Sequence, residues 1–313
     1  MSGRRQGLVA GVAAYAMWGL FPLFWPLLEP AAAVEILAHR IAWSLVILLI
    51  VLTLTSRFAW ITRLGRRRVA LLTLASVLIT VNWGMFIYGV NSGQVVETSL
   101  GYFINPLVTV ALAVAVLGEK LSRLQCVAVV IAAVAVAVLA VDYGRPPWIA
   151  LTLAFSFGTY GLVKNRAGVG GTQSLAFETA VLFLPAVAYL AWLSLSGAST
   201  FATEGAGHAT LLAVGGIVTA APLICFGAAA IRLPLITLGL IQYLTPTLQF
   251  LIGVLVYGED MPTSRLAGFV LVWIALAVFT ADVIRAARRT ADSRPVAQTA
   301  EAGVPVAGAR AGR

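Results

Sequence analysis

Three ionisable residues open one of the long apolar runs of this chain, in the string Glu35-Ile36-Leu37-Ala38-His39-Arg40. Glu35 and His39 stand one helical turn apart and share a face. Arg40 lies roughly 100° round from His39 and about two turns in from the end of the run. Two readings of Arg40 are open. It can snorkel to a membrane interface and pair with Glu35, or it can line a water-filled cavity and meet an anionic group on a small molecule. In the second reading His39 can exchange a proton near neutral pH, which adds a coupling proton to the expected partners.

Two further acids stand at the starts of apolar runs. Glu97 does so on the side of Glu35, and Glu178 on the opposite side. Glu35 and Glu178 fall at equivalent places in the two halves of the chain. An acid at each gate suits a site exposed alternately to either side, but acids near helix N-termini are equally partners of the helix dipole. Pro106 cannot donate to the carbonyl of Tyr102, nor Pro246 to that of Gln242. Each freed carbonyl needs a polar partner or a cavity. Tyr102 and Asn105 lie beside the first proline, Gln242, Tyr243 and Thr245 beside the second. A kink patched by neighbouring hydroxyls and a polar cavity both fit. Asn82, Trp83 and Tyr88, with Tyr15 and Trp18, can supply polar or aromatic walls.

The stretches that hold these residues occur twice. Pro106, Gly118, Glu119 and Asp142 recur as Pro246, Gly258, Glu259 and Asp282 at one constant offset. A period of half a chain indicates duplication of a large unit, and matching breaks in two halves of a membrane protein point to a site between them. Gly118-Glu119 and Gly258-Glu259 read as hairpin turns, the glycine relieving a left-handed residue and the acid capping the next helix.

Composition names the solvent. Sixty per cent of the residues are hydrophobic and 11 per cent charged, a balance that belongs in lipid. Apolar runs near 7–28, 34–54, 69–90, 96–117, 123–141, 147–163, 174–195, 209–230, 236–257 and 264–284 each approach the roughly 20 residues a bilayer requires. The first is read as a retained helix rather than a signal peptide. The sixth is the weakest and ends early at Lys164 and Arg166.

Basic residues cluster in alternate loops, placing both termini and loops 2–3, 4–5, 6–7 and 8–9 on the cytoplasmic side. Only Arg40, Arg145 and Arg265 fall elsewhere. An all-α membrane protein of ten transmembrane helices follows, as two five-helix repeats spanning 1–142 and 143–285. An odd number of helices per half makes the repeat inverted. Residues 286–313 read as a disordered cytoplasmic tail.

The same pattern excludes much. The net charge of +9 sits in membrane-flanking clusters, which argues against nucleic acid. Cys126 and Cys225 lack metal-ligand spacing and read as buried thiols. No Walker loop, nucleophile elbow or paired nucleophile and base is evident. The expectation is therefore no enzyme, cofactor or metal.

The strings assembled above resemble a known family. Glu35-Ile36-Leu37 with His39-Arg40 and Trp43-Ser44, Glu97 with Ser99-Leu100-Gly101-Tyr102-Phe103-Ile104-Asn105-Pro106-Leu107, Tyr160-Gly161-Leu162, Glu178-Thr179 with Leu184-Pro185, Gly216-Ile217-Val218-Thr219, and Gln242-Tyr243 with Pro246-Thr247-Leu248 are similar to the RarD group of EamA-type permeases in the drug/metabolite transporter superfamily. The resemblance covers all but the tail. It implies ten helices as two inverted EamA repeats and a permease of the cytoplasmic (inner) membrane, with no defined set of binding residues. Together with the residues above, it sets the expectation of a small polar or amphipathic metabolite, or a drug-like compound, as substrate. Arg40 would meet an anionic group, Glu35 and Glu97 would tune that charge, and Tyr102, Asn105, Gln242 and Thr245 would supply hydrogen bonds. A lipid-carrier flippase is the alternative, and a non-transporting membrane sensor a more distant one.

Overall fold

A computed structural model describes residues 3–54, 65–118, 120–169 and 171–292. Every regular element among them is helical, as expected of a chain whose backbone polar groups must be satisfied within each segment in lipid. The elements are α1 (Gly3–Gly19), α2 (Ala33–Leu54), α3 (Arg66–Asn91), α4 (Val95–Leu117), α5 (Arg123–Asp142), α6 (Trp148–Ala167), α7 (Gly171–Leu195), the single turn α8 (Thr200–Thr203), α9 (Gly205–Ala230), α10 (Leu235–Ile241), α11 (Leu244–Leu251) and α12 (Thr263–Asp292). Short 3-10 turns at Phe21–Leu23 and Trp25–Leu28 follow α1, and a π turn at Ile252–Val256 extends α11.

Among the described residues eight helices are long and apolar enough to cross a membrane. The count is nine if Gly3–Gly19 and Phe21–Leu28, bent by 42° from one another, make one span. The run near 7–28, read from sequence as one retained helix, is thus a helix followed by a bent segment. Pro22 and Pro26 each remove a backbone donor, so the run cannot continue as an α-helix. The weak sixth run is a full 20-residue helix that passes Lys164 and Arg166 and stops at Gly168, whose φ of 61° is left-handed.

The two proline breaks are unlike. α4 runs unbroken through Pro106, whereas the matching segment is split between α10 and α11 just before Pro246. A lone proline can be absorbed as a kink when neighbours serve the freed carbonyl. At the second site the amide of Thr245 takes the carbonyl of Gln242 at 3.2 Å, closing a tight turn instead. Gly118 and Gly258 do end their segments with positive φ, 68° and 64°. Glu119 and the tail beyond Asp292 lie outside the described residues, and α12 continues seven residues past the expected boundary at 285.

Helix packing closes a ring. α9 packs on α1 and α2, α7 on α2 and α3, α6 on α3 and α4, and α11 on α4 and α1. α5 and α12 pair beside it. Exchanging α1 with α6, α2 with α7, α3 with α9, α4 with α11 and α5 with α12 maps the ring onto itself. Small residues let these backbones approach, as lipid-embedded helices require. A methyl group added at Gly216 would stand 2.6 Å from Cβ of Trp43, and one at Gly101 2.8 Å from the carbonyl oxygen of Ala150. Ala128, Ala132 and Ala135 form a buried stripe on α5 against Phe269, Val272 and Ala275 of α12.

Candidate functional site

Most of the acids singled out by the sequence are engaged by backbone or by a neighbouring side chain. Glu35 accepts the amide of Thr200 at 2.9 Å and the hydroxyl of Ser199 at 3.4 Å, so it caps α8. Glu97 accepts the amide of Ile149 at 3.0 Å and pairs with Arg145 at 2.8 Å. Glu178 accepts hydrogen bonds from Ser174 and Tyr160 and pairs with Lys164 at 3.4 Å. Glu259 accepts the amides of Val95 at 2.5 Å and Val96 at 3.0 Å, capping α4 from the other half of the chain. The capping acid therefore serves a helix remote in sequence, not the one that follows it.

The loops 91–95, 142–148 and 257–263 meet at one end of the bundle around a cleft of about 460 Å³. Tyr143 lies there between the guanidiniums of Arg145 and Arg265, at 5.5 and 4.4 Å from its ring centroid. Both arginines have acid partners, Arg145 in Glu97 and Arg265 in Asp142, the latter at 2.8 Å. The charge of this cleft is largely compensated from within.

Arg40 is different. It is 3 % exposed, and no salt bridge or hydrogen bond to its guanidinium is present among the described residues. The rings of Trp83, Trp25 and Phe21 stand 4.1, 5.2 and 5.7 Å from its central carbon. It neither snorkels to an interface nor pairs with Glu35. Cation–π contacts return roughly 1–2 kcal/mol each where desolvated, against a desolvation cost of several kcal/mol for a buried ion. Among the described residues Arg40 is thus a buried cation with no acid partner.

A polar chain runs alongside. Tyr102 donates its hydroxyl to Asn82 at 3.2 Å, and Asn82 donates to the carbonyl of Leu153 at 3.0 Å and to the hydroxyl of Ser156 at 3.1 Å. Tyr102 is the electrostatic neighbour of Arg40. The oxygen of Asn105 is buried without a partner.

The other expected residues are dispersed. His39 stacks on Phe201 at 4.8 Å rather than facing Arg40, and its Nε2 is buried without a partner. Thr245 gives its hydroxyl to the carbonyl of Tyr15 at 2.7 Å, and Gln242 sits at the turn between α10 and α11. The structure brings Arg40 together with Tyr102 and Asn82, and not with Glu35, Glu97, Glu178, Gln242 or Thr245. Trp25 was missed by sequence reasoning. Its signal was its place beside two prolines in a bent segment of the first run.

An all-helical bundle with this many apolar spans, a buried cation and small-residue helix contacts defines a multi-pass membrane protein. Residues 5–141 match the EamA-like transporter family. Protein RarD of Streptomyces exfoliatus is 58% identical over 289 residues, covering 92% of each chain. The uncharacterized transporter YojE of Bacillus subtilis (strain 168) is 42% identical over 286 residues, covering 90% of this chain and 95% of the other. One crystal structure shares the fold at a TM-score of 0.57 and 15% identity, covering 88% of this chain and 97% of that one. The chain belongs to the EamA transporter family, among its RarD-type members, and is a membrane transporter.

Proposed function

We propose that the chain is a secondary transporter that moves a small amphipathic metabolite or drug-like compound across the cytoplasmic membrane by alternating access, with Arg40 meeting an anionic group on the substrate. The single observation that carries this reading is the buried guanidinium that has no acid partner among the described residues. A permanent cation of this kind is stable only when something neutralises it, and a substrate anion does so transiently.

The ten-span, inverted-repeat architecture belongs to the same proposal, with repeats 1–142 and 143–285 and both termini cytoplasmic. The ring that maps onto itself when the halves are exchanged supports it. So does the convergence of three loops, all assigned to the outer side by the charge rule, on one cleft. Lys164 and Glu178 then pair at the opposite, cytoplasmic end.

The test is uptake by proteoliposomes loaded with the purified chain. Arg40→Ala abolishes flux of the transported anion while the protein stays folded and abundant. Full flux through that variant overturns the assigned role.

A further inference from the structure

Two buried donors, on different segments, lack partners at the same place. Arg40 has no hydrogen bond at Nε, and Trp25, fully buried in the bent segment after α1, has none at Nε1. The indole centroid and the guanidinium carbon are 5.2 Å apart. An orphaned buried donor is destabilising, so two side by side call for a shared acceptor.

The approach to that acceptor is restricted. Trp83, Trp25 and Phe21 crowd the guanidinium at 4.1, 5.2 and 5.7 Å, and its parallel N–H groups match the two oxygens of a carboxylate. The charge is also restricted. Among the described residues Lys164, Arg145 and Arg265 have acid partners, whereas the buried Arg40 has none and offers one positive charge. The acids at hand are equally committed. Glu35 and Glu97 accept backbone amides and a serine or arginine, and among the described residues no carboxylate pairs with Arg40 or stands ready there to receive an ammonium group. The walls are Phe21, Trp25, Trp83 and Tyr102.

We infer that Trp25 and Arg40 together hold one carboxylate of an amphipathic monocarboxylate that carries an aromatic or apolar body and no amino group. This rests on the transporter reading for its route across the membrane, and it narrows the substrate class. Dicarboxylates bring a second charge that nothing balances, and α-amino acids bring an ammonium that nothing accepts.

The test is isothermal titration calorimetry on the full chain in nanodiscs with 3-phenylpropionate, L-phenylalanine, phenylsuccinate and 2-phenylethylamine. 3-Phenylpropionate binds at least about tenfold more tightly than each of the others, the effect of one unbalanced polar or charged group. Trp25→Phe keeps the aromatic wall, removes the donor and weakens 3-phenylpropionate by about tenfold with the melting temperature little changed. If Trp25→Phe does not fold, Arg40→Lys reads the same point. It keeps the charge but loses the parallel donors, and it weakens 3-phenylpropionate by at least about tenfold. Absence of 3-phenylpropionate binding, equal or tighter binding of L-phenylalanine or the amine, or unchanged affinity in these variants overturns the inference. Binding without flux leaves the inference standing and overturns transport. Flux restricted to zwitterions or amines does the reverse.

Discussion

Gln249 donates its side-chain amide to the carbonyl of Trp18 at 3.2 Å, and that carbonyl is the one Pro22 leaves without its helical donor. The next freed carbonyl follows the same rule: Pro26 releases Pro22, and Tyr257 donates its hydroxyl there at 2.7 Å. Polar groups of the ninth run thus repair the bent first run across the ring. Gln249→Leu leaves the Trp18 carbonyl unpaired and costs about 1–3 kcal/mol. Thermal unfolding in detergent checks it, with a smaller loss in Tyr257→Phe because Tyr257 is 40% exposed and water can replace it.

That repair explains how much of the chain was legible beforehand. Apolar runs located the long helices, because bilayer thickness acts on local sequence. They also marked Arg40 as anomalous. They did not show that Thr245 would serve the carbonyl of Tyr15, or that Glu35 would turn to Thr200 instead of His39 and Arg40. Those pairings join residues far apart in the chain, and matching Pro-containing segments cannot reveal that one helix runs on through its proline while its counterpart breaks.

Glue between helices is the second point of test. Gly216→Ala places a methyl group 2.6 Å from Cβ of Trp43 and 2.7 Å from its backbone carbon, forcing α2 and α9 apart. Overpacking of this kind costs about 1–3 kcal/mol. Gly227, in the same helix, has nothing within 4 Å of an added methyl, so Gly227→Ala stabilises by up to about 1 kcal/mol through helix propensity. Melting temperatures of the two variants move in opposite directions.

Glu259 gives a pH signature. Burial holds its carboxyl above the ordinary value of 4.5, with Glu97 adding to the rise, while the amides of Val96 and Val95 and the charge of Arg265 oppose it. A carboxyl whose pKa is higher in the folded state binds more protons there than in the unfolded chain. Its contribution to stability is therefore present below about pH 4.5 and is lost as pH rises through the folded value. Unfolding curves taken upward from about pH 4.5, the ordinary value, show this loss in the wild-type chain, and Glu259→Gln lacks it.

The pair of Arg145 with Glu97 is the last structural test. Glu97 is 2% exposed and also receives the amide of Ile149. Arg145→Ala strips a buried carboxylate of its cation, whereas Glu97→Gln keeps an acceptor for Ile149 and removes the charge. Glu97→Gln is expected to rescue stability lost in Arg145→Ala, read as a coupling between the single and double variants.

Arg40 is held either for a ligand or for the fold, and Arg40→Met separates these. Methionine fills similar space without a charge, and replacing even paired buried ions by apolar side chains of similar volume is often neutral or stabilising by about 1–4 kcal/mol. The predicted result is an unchanged or raised melting temperature for ligand-free protein together with complete loss of anion binding and flux. A destabilised variant that still binds and transports contradicts it.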